Sequence, residues 1–485
     1  MLHPLVELSS LTNPTRAQHP IAQQAIVAVT RSLQARLRGD HWPLSFQIPG
    51  LAFCALARDR ALIADDQGLG KTTIALLRIF LGGHLPAIIV CPSVVSEKWR
   101  TEIGWWMPDV PVLMVSGQST PIPSKWGGIL IVTWDLLPLH VEALMAVRPR
   151  IVVGDEVQKA INVDAYRSGA LDELVSVAPH LLLLSGTPIT NHAEELWRLL
   201  HLIDSRSWPE VTKRAFQSLN ADAFDVCVQT ALTQRVRQFM LRRMKEQAMP
   251  ELRSKQVEIV PVTLSPAAMR GYLKIEKSFG KWLRARVERQ LVAEGYDLDS
   301  DEAREEIDAR LAAPLAAEAL AKVNHLRQFV GRQKVSFAVN WLADTVREGE
   351  AVIGFAHHKP VLLATLRGLA DRGIQAAILD GSLSAKKRDQ LVIDFQAGAL
   401  DVLLCSMAAE AGVTLTRARQ VLLIERFWTA RTEDQMVDRT HRIGQTRDVR
   451  VTKLCATGTI DERMETIVKR KRSVAARTVD GERSA

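Results

Sequence analysis

Cysteine is scarce in this 485-residue sequence. There are five, Cys54, Cys91, Cys227, Cys405 and Cys455, an odd number spaced far apart with no C-x-x-C pair. That excludes a disulfide framework and a cysteine-built zinc site, and it predicts a reducing, intracellular compartment. Long apolar runs are missing too. Stretches such as 87–90 and 181–184 stop far short of the roughly 20 residues a membrane helix needs. The first ten residues have neither a basic start nor an apolar core, so no secretion signal is expected. No 20–50-residue repeat and no low-complexity tract is present, which excludes a solenoid. The histidines follow no metal-ligand spacing: His357 and His358 are adjacent, and His441 sits among arginines.

What remains is the balance of a globular protein, 47% apolar and 24% charged, long enough for two or three domains. Lys plus Arg exceed Asp plus Glu by 62 to 54, a net +8 that weakly favours an anionic partner. Short apolar runs at 61–64, 87–91, 129–133, 151–154 and 181–185 alternate with helical stretches such as 72–81 and 193–203. Each run reads as a strand of a parallel sheet buried on both faces. Residues 206–335 are long, charged and helical apart from one strand-like piece at 256–264. The alternation then restarts at 351–355, 375–379, 402–405, 421–424 and 450–454. The expected fold is α/β, two parallel-sheet lobes with a helical region inserted between them.

Asp65-Asp66-Gln67-Gly68-Leu69-Gly70-Lys71-Thr72 follows a strand and opens a helix. Gly68 and Gly70 let backbone N–H groups close around a phosphate, Lys71 reaches the β- and γ-phosphates, and the Thr72 hydroxyl ligates Mg²⁺. The pattern is a partial phosphate loop, with Asp65 where a glycine is usual. Asp155-Glu156-Val157-Gln158 ends the strand 151–154. A carboxylate there can hold Mg²⁺ through water (Asp155), and a second can polarise an attacking water (Glu156). Ser185, Gly186 and Thr187 end another strand with small residues suited to sensing the γ-phosphate. In the second half, Arg439 and Arg442 are three apart and expected on one helical face. Supplied across a cleft, such guanidinium groups stabilise charge on a transferred phosphoryl group.

Together these residues resemble the Swi/Snf-type ATPases of helicase superfamily 2, with the motifs in the family's order from Gln47 to Gln445. Residues 88–92 with Trp99, and 131–134, match its motifs Ia and Ib. Ser185–Pro188 with Glu195-Leu196-Trp197 matches motif III, and Leu241-Arg242-Arg243 the arginine pair closing the first lobe. Residues 352–355 resemble motif IV, and Asp380-Gly381-Ser382 with Arg388 and Phe395 the loop and helix after it. Residues 406–416 resemble motif V and 435–445 motif VI. The 64–72 loop, Ser185–Pro188 and Arg426-Phe427-Trp428 are most similar to the annealing-helicase branch. Gln158 stands where the family usually has His, and Val157 where it has Ala. Glu410 interrupts a stretch the family usually makes glycine-rich.

The resemblance implies two RecA-like lobes, 46–265 and 336–462. The first carries a helical protrusion at about 206–250, and 266–335 is a helical insertion. A helical extension occupies 1–45 and a basic tail 463–485. It implies ATP and Mg²⁺, with nucleotide contacts from Gln47, Asp66, Gly68, Leu69, Gly70, Lys71, Thr72, Thr73, Gln158, Gly412 and Gln435. Its track is double-stranded DNA, gripped by Ser93, Trp99, Thr133, Arg242, Arg243, Gly381, Ser382 and Ser406. Independently, Arg270, Lys274, Lys277, Lys281 and Arg284 recur at helical spacing as one basic stripe. Lys281 and Arg284 would touch DNA phosphate if the stripe does not instead pair with the acidic stretch 294–308. The expected activity is DNA-dependent ATP hydrolysis coupled to duplex translocation, by a monomer with a protein recruiter and no membrane partner. The other readings are a nucleotide-gated binding module without turnover and a strand-separating helicase. The expected location is cytoplasmic, on the nucleoid in a prokaryote, with the basic run 469–472 leaving a nuclear one open.

Overall fold

Successive residues of a strand face opposite ways, so a strand apolar at every position needs a core on each side. The computed structural model, which describes residues 20–37, 41–161, 166–189, 192–219, 226–294, 317–406, 414–427, 429–442 and 444–475, meets that need twice. The chain divides into two units, Met1–Leu252 and Arg253–Trp428 with Thr432–Val468 as their main bodies.

The first unit holds β1 (Arg60–Ile63), β2 (Ala87–Cys91), β3 (Val112–Met114), β4 (Ile129–Thr133), β5 (Ile151–Asp155), β6 (His180–Leu184) and β7 (Met240–Leu241). They form one sheet in the order β3-β4-β2-β5-β6-β1-β7, every pair parallel. Leu62, Ile88, Val90, Leu130, Val152 and Leu183 enter a core on one face. Their chain neighbours Ile63, Ile89, Ile131, Val153 and Leu184 enter the other. Helices α1 (Gln47–Leu56), α2 (Lys71–Gly82) and α3 (Ser96–Trp106) belong to this unit. Helix α2 ends where Gly83, at φ +62°, adopts the left-handed cap that lacks a Cβ penalty.

The second unit has β8 (Lys255–Val262), β9 (Val352–Phe355), β10 (Ala376–Leu379), β11 (Val402–Cys405), β12 (Gln420–Leu423) and β13 (Val449–Ala456), again all parallel, in the order β10-β11-β9-β12-β13-β8. The same alternation divides Ile353, Leu403 and Val421 from Val352, Leu404 and Leu422. Its helices include α4 (Pro266–Ala293), α5 (Ala317–Arg347), α6 (Ala430–Val437) and α7 (Ile460–Ala475).

Two expected boundaries move. The strand expected at 256–264 within the first lobe is β8, which pairs along its whole length with β13 and so belongs to the second sheet. Nothing local encodes that choice, since a strand's partner is fixed by tertiary pairing. The boundary expected at 335 falls inside α5, one continuous helix. Its Leu326 and Val330 pack with Tyr272 of α4, while Ala338, Val339 and Leu342 cover the sheet. Within the region expected as a helical protrusion, residues 240–241 are strand β7. Among the described residues no helix is long and apolar enough to cross a membrane.

The second core also buries charge. Glu433 of α6, 0% exposed, accepts from Arg426 Nε at 2.9 Å and NH2 at 3.1 Å, and from Lys453 Nζ at 2.6 Å. Burial would raise its carboxyl, but Arg426 and Lys453 outweigh that and hold it below the usual 4.5. Glu433→Ala leaves two buried cations short of a partner and should cost about 3 kcal/mol or more in urea unfolding at pH 7. Because the folded carboxyl titrates low, its contribution is complete above the ordinary value and fades as pH falls. The gap between variant and parent should therefore narrow below pH 4.5.

Candidate active site

In an all-parallel sheet every strand delivers its following loop to the same edge. The order β5-β6-β1-β7 places four loops side by side there. They are Asp155–Gln158, Ser185–Pro188, the phosphate loop Asp65–Thr72, and Arg242-Arg243.

The phosphate loop is shaped by glycine. Gly68 lies at φ +86° and Gly70 at φ +70°, conformations that L residues rarely adopt. A Cβ on Gly70 would stand 2.2 Å from Gln47 Nε2. Buried Gln47, at the start of α1, donates to Leu69 O at 3.4 Å and accepts from Leu44 N at 2.9 Å. Lys71 Nζ donates to the carbonyls of Asp65 (2.8 Å) and Asp66 (3.2 Å). Desolvation lowers its ammonium below the usual lysine range, against the pull of Glu156, Asp65, Asp155 and Asp66. A lysine held only by loop carbonyls, beside two left-handed glycines, fits a triphosphate.

The acidic pair is held from both faces of the sheet. Trp99 of α3, in one core, donates its indole N–H to Asp155 Oδ2 at 2.9 Å. Trp134, in the other, donates to the Asp155 carbonyl at 2.8 Å. Desolvation, and then the Glu156 charge, push the Asp155 carboxyl up to about 6, against the pull of Trp99 and Lys71. Glu156 follows at φ +51°, a left-handed backbone that costs a non-glycine residue about 1–2 kcal/mol. Hard oxygen donors from Asp155 and the Thr72 hydroxyl suit Mg²⁺. Thr73 shares the first turn of α2 with Thr72.

Gln158 ties this pair to the next loop. Its Nε2 donates to Glu156 Oε2 at 2.5 Å, and its Oε1 accepts from Ser185 Oγ at 2.7 Å. Ser185 Oγ accepts in turn from Thr187 N at 3.1 Å. Among the described residues the buried Thr187 hydroxyl has no hydrogen-bond partner. The glutamine amide carries its donor and its acceptor on one carbon, whereas those of a neutral histidine lie on separate ring nitrogens.

Three residues expected at DNA are committed elsewhere. Arg243, 7% exposed, forms a two-pronged ion pair with fully buried Asp65 and also donates to Phe46 O. Arg242 pairs with Asp66 at 2.8 Å and donates to Ala64 O at 2.8 Å and Gly186 O at 3.3 Å. Trp99, 1% exposed, is a core residue. Burial removes Arg243 and Trp99 from the surface, and half-buried Arg242 is committed to Asp66 and two carbonyls. By contrast Ser93 and Thr133 follow or end the adjacent strands β2 and β4. Gly381, Ser382 and Ser406 follow the adjacent strands β10 and β11. Ser382 is exposed and bonded to Asp380, with Lys359 paired to Asp380 at 2.9 Å.

Arg439 and Arg442 are not on a helical face. Helix α6 ends at Val437, and both half-buried arginines lie in the turns beyond it, where Leu415 N donates to Arg439 O at 2.9 Å. Gln435 is buried in the last turn of α6. Gly412 and Glu410 lie outside the described residues. Sequence reasoning missed Gln67, whose Nε2 is 3.5 Å from Glu156 Oε1, and Trp134. It also missed the matched charges Asp65-Asp66 and Arg242-Arg243, two acids and two bases ending neighbouring buried strands.

The ion pair distinguishes a structural from a DNA-contacting Arg243. Arg243→Ala should weaken nucleotide binding without any DNA present and lower the melting temperature, since Asp65 is left buried and unpaired at a cost of about 3 kcal/mol. Fluorescent-nucleotide titration and thermal melting of the DNA-free protein check this.

A family model described as the SNF2-related domain matches residues 23–328, and the helicase conserved C-terminal domain matches 333–444. The chain is 28% identical over 461 residues to the mouse (Mus musculus) DNA annealing helicase and endonuclease ZRANB3, covering 90% of this chain and 41% of that protein. It is 26% identical over 476 residues to the putative ATP-dependent helicase/translocase YwqA of Bacillus subtilis, covering 92% and 48%. The chain thus spans less than half the length of these relatives. A solved Sulfolobus solfataricus SWI2/SNF2 ATPase core in complex with dsDNA is similar at 22% identity and TM-score 0.44, over 90% of this chain and 92% of that one. With its phosphate loop, acidic pair and 185–187 loop on one sheet edge, the chain belongs to the SNF2-related family of helicase-like ATPases.

Proposed function

We propose that this chain is a DNA-dependent ATPase that couples hydrolysis to translocation on double-stranded DNA, remodelling protein–DNA complexes or branched or unwound DNA. The observation that carries the catalytic half is the gathering of Lys71, Asp155 and Glu156 on neighbouring loops of one parallel sheet. In this reading loop N–H groups and Lys71 bind the phosphates. Glu156 takes a proton from water as its oxygen attacks the γ-phosphorus, and the bond to the β–γ bridging oxygen breaks to release ADP. Mg²⁺, held by Thr72 and by Asp155 through water, supplies charge neutralisation when bound. Arg439 and Arg442 are the guanidinium groups assigned to the transferred phosphoryl charge.

Support for DNA comes from relatives named as an annealing helicase and a helicase/translocase, and from α4. Arg270, Lys274, Lys277, Lys281 and Arg284 are all exposed, while Tyr272, on the opposite side of the helix, is buried. Arg284 makes a surface pair with Glu288 at 2.9 Å, of a kind worth about 0–1 kcal/mol. The other four form no ion pair among the described residues, so they are open to phosphate.

Steady-state hydrolysis over duplex, single-stranded, forked and RNA substrates tests the proposal. Duplex should stimulate most, and Lys71→Ala should have no turnover; stimulation by RNA alone, or by nothing, would contradict it. Lys277→Ala and Lys281→Ala should each reduce the slope of log affinity against log salt by about 1. An unchanged slope would return α4 to an ordinary solvated helix.

A further inference from the structure

We infer that Gln158 and Gln67 are positioning residues that cap the Glu156 carboxylate between turnovers, releasing it only when the loops that carry them shift. The inference rests on Glu156 being the base of ATP hydrolysis and concerns how that base is restrained.

Both Glu156 oxygens face an amide donor: Gln158 Nε2 lies 2.5 Å from Oε2 and Gln67 Nε2 lies 3.5 Å from Oε1. Each such donor occupies an acceptor site on the carboxylate that an incoming water would otherwise use. Each donor is anchored on a different loop. Gln158 is held by Ser185 Oγ on its carbonyl side at 2.7 Å, so a movement of the 185–187 loop is carried to the cap. Gln67 belongs to the phosphate loop and lies across Gly186, where a Cβ would come within 2.7 Å of Gln67 Cγ. The same loop now holds Lys71 on its own Asp65 and Asp66 carbonyls, bonds that must yield when Lys71 takes up phosphate. Nucleotide entry therefore bears on one donor and displacement of the 185–187 loop on the other. The left-handed Glu156 backbone, at φ +51°, sets the side chain between them.

Weakening the cap should raise activity, a change that disrupted folding would not produce. Gln158→Ala, and separately Gln67→Leu, should raise DNA-free kcat about tenfold, equivalent to about 1.4 kcal/mol. The gain should be in kcat rather than in KM for ATP, and smaller when duplex is saturating. Gln158→His, which keeps a donor, should stay nearer the parent. The gain should vanish in Gln158→Ala combined with Glu156→Gln. A DNA-free kcat that is unchanged or falls in both single variants would overturn the inference. If Glu156→Gln alone keeps full turnover, the assignment of the base fails and the cap with it. The DNA-free arm does not depend on duplex stimulation, so its failure is separate from failure of the DNA reading.

Discussion

The phosphate loop leaves β1 through a carboxylate that has no access to water, and the rest of the site depends on how that charge is held. Asp65 is 0% exposed, and an isolated buried carboxylate would neutralise rather than stay charged. Arg243 meets it with an ion pair from the end of β7, and Arg242 pairs with Asp66. The final, two-residue strand of the sheet is therefore what fixes the start of the loop. Gln47 presses on Gly70 from the other side, leaving the loop a narrow range of shapes before any nucleotide arrives.

Charge crowding organises the neighbouring loop in the same way. Lys71 senses four carboxylates, and Asp155 is pushed up to about 6 by desolvation and by Glu156. Two tryptophans, one from each core, hold Asp155 by side chain and by backbone. The two cores that make the sheet stable thus also aim the carboxylate. From Glu156 the hydrogen bonds run through Gln158 to Ser185 and Thr187, so the acidic pair and the 185–187 loop form one connected unit.

Much of this was legible in the sequence, and the limits have physical causes. Strands β2, β4 and β11 match their expected residues end to end, because a two-face-buried strand leaves an unbroken apolar run. The nucleotide loops were legible because glycine, lysine and strand-end acids have few other uses in that order. Three-residue β3 and two-residue β7 are too short to carry a period. The partner of β8 is a tertiary choice, and so are the partners of Arg242 and Arg243. An arginine that pairs with an acid 178 residues away looks in sequence like one that meets a phosphate. The Arg439–Arg442 spacing read as helical, yet α6 stops at Val437. Gln158 was legible as a departure from the family's histidine, but not as a contact on Glu156.

In the proposed reaction Glu156 activates water without contributing to nucleotide affinity. Single-turnover cleavage of bound ATP, followed in the parent and in Glu156→Gln with nucleotide binding measured in parallel, tests it most directly. Affinity should be equal and cleavage slowed by about 10²–10⁴-fold, the usual worth of a general base. Cleavage at the parent rate in Glu156→Gln would contradict it.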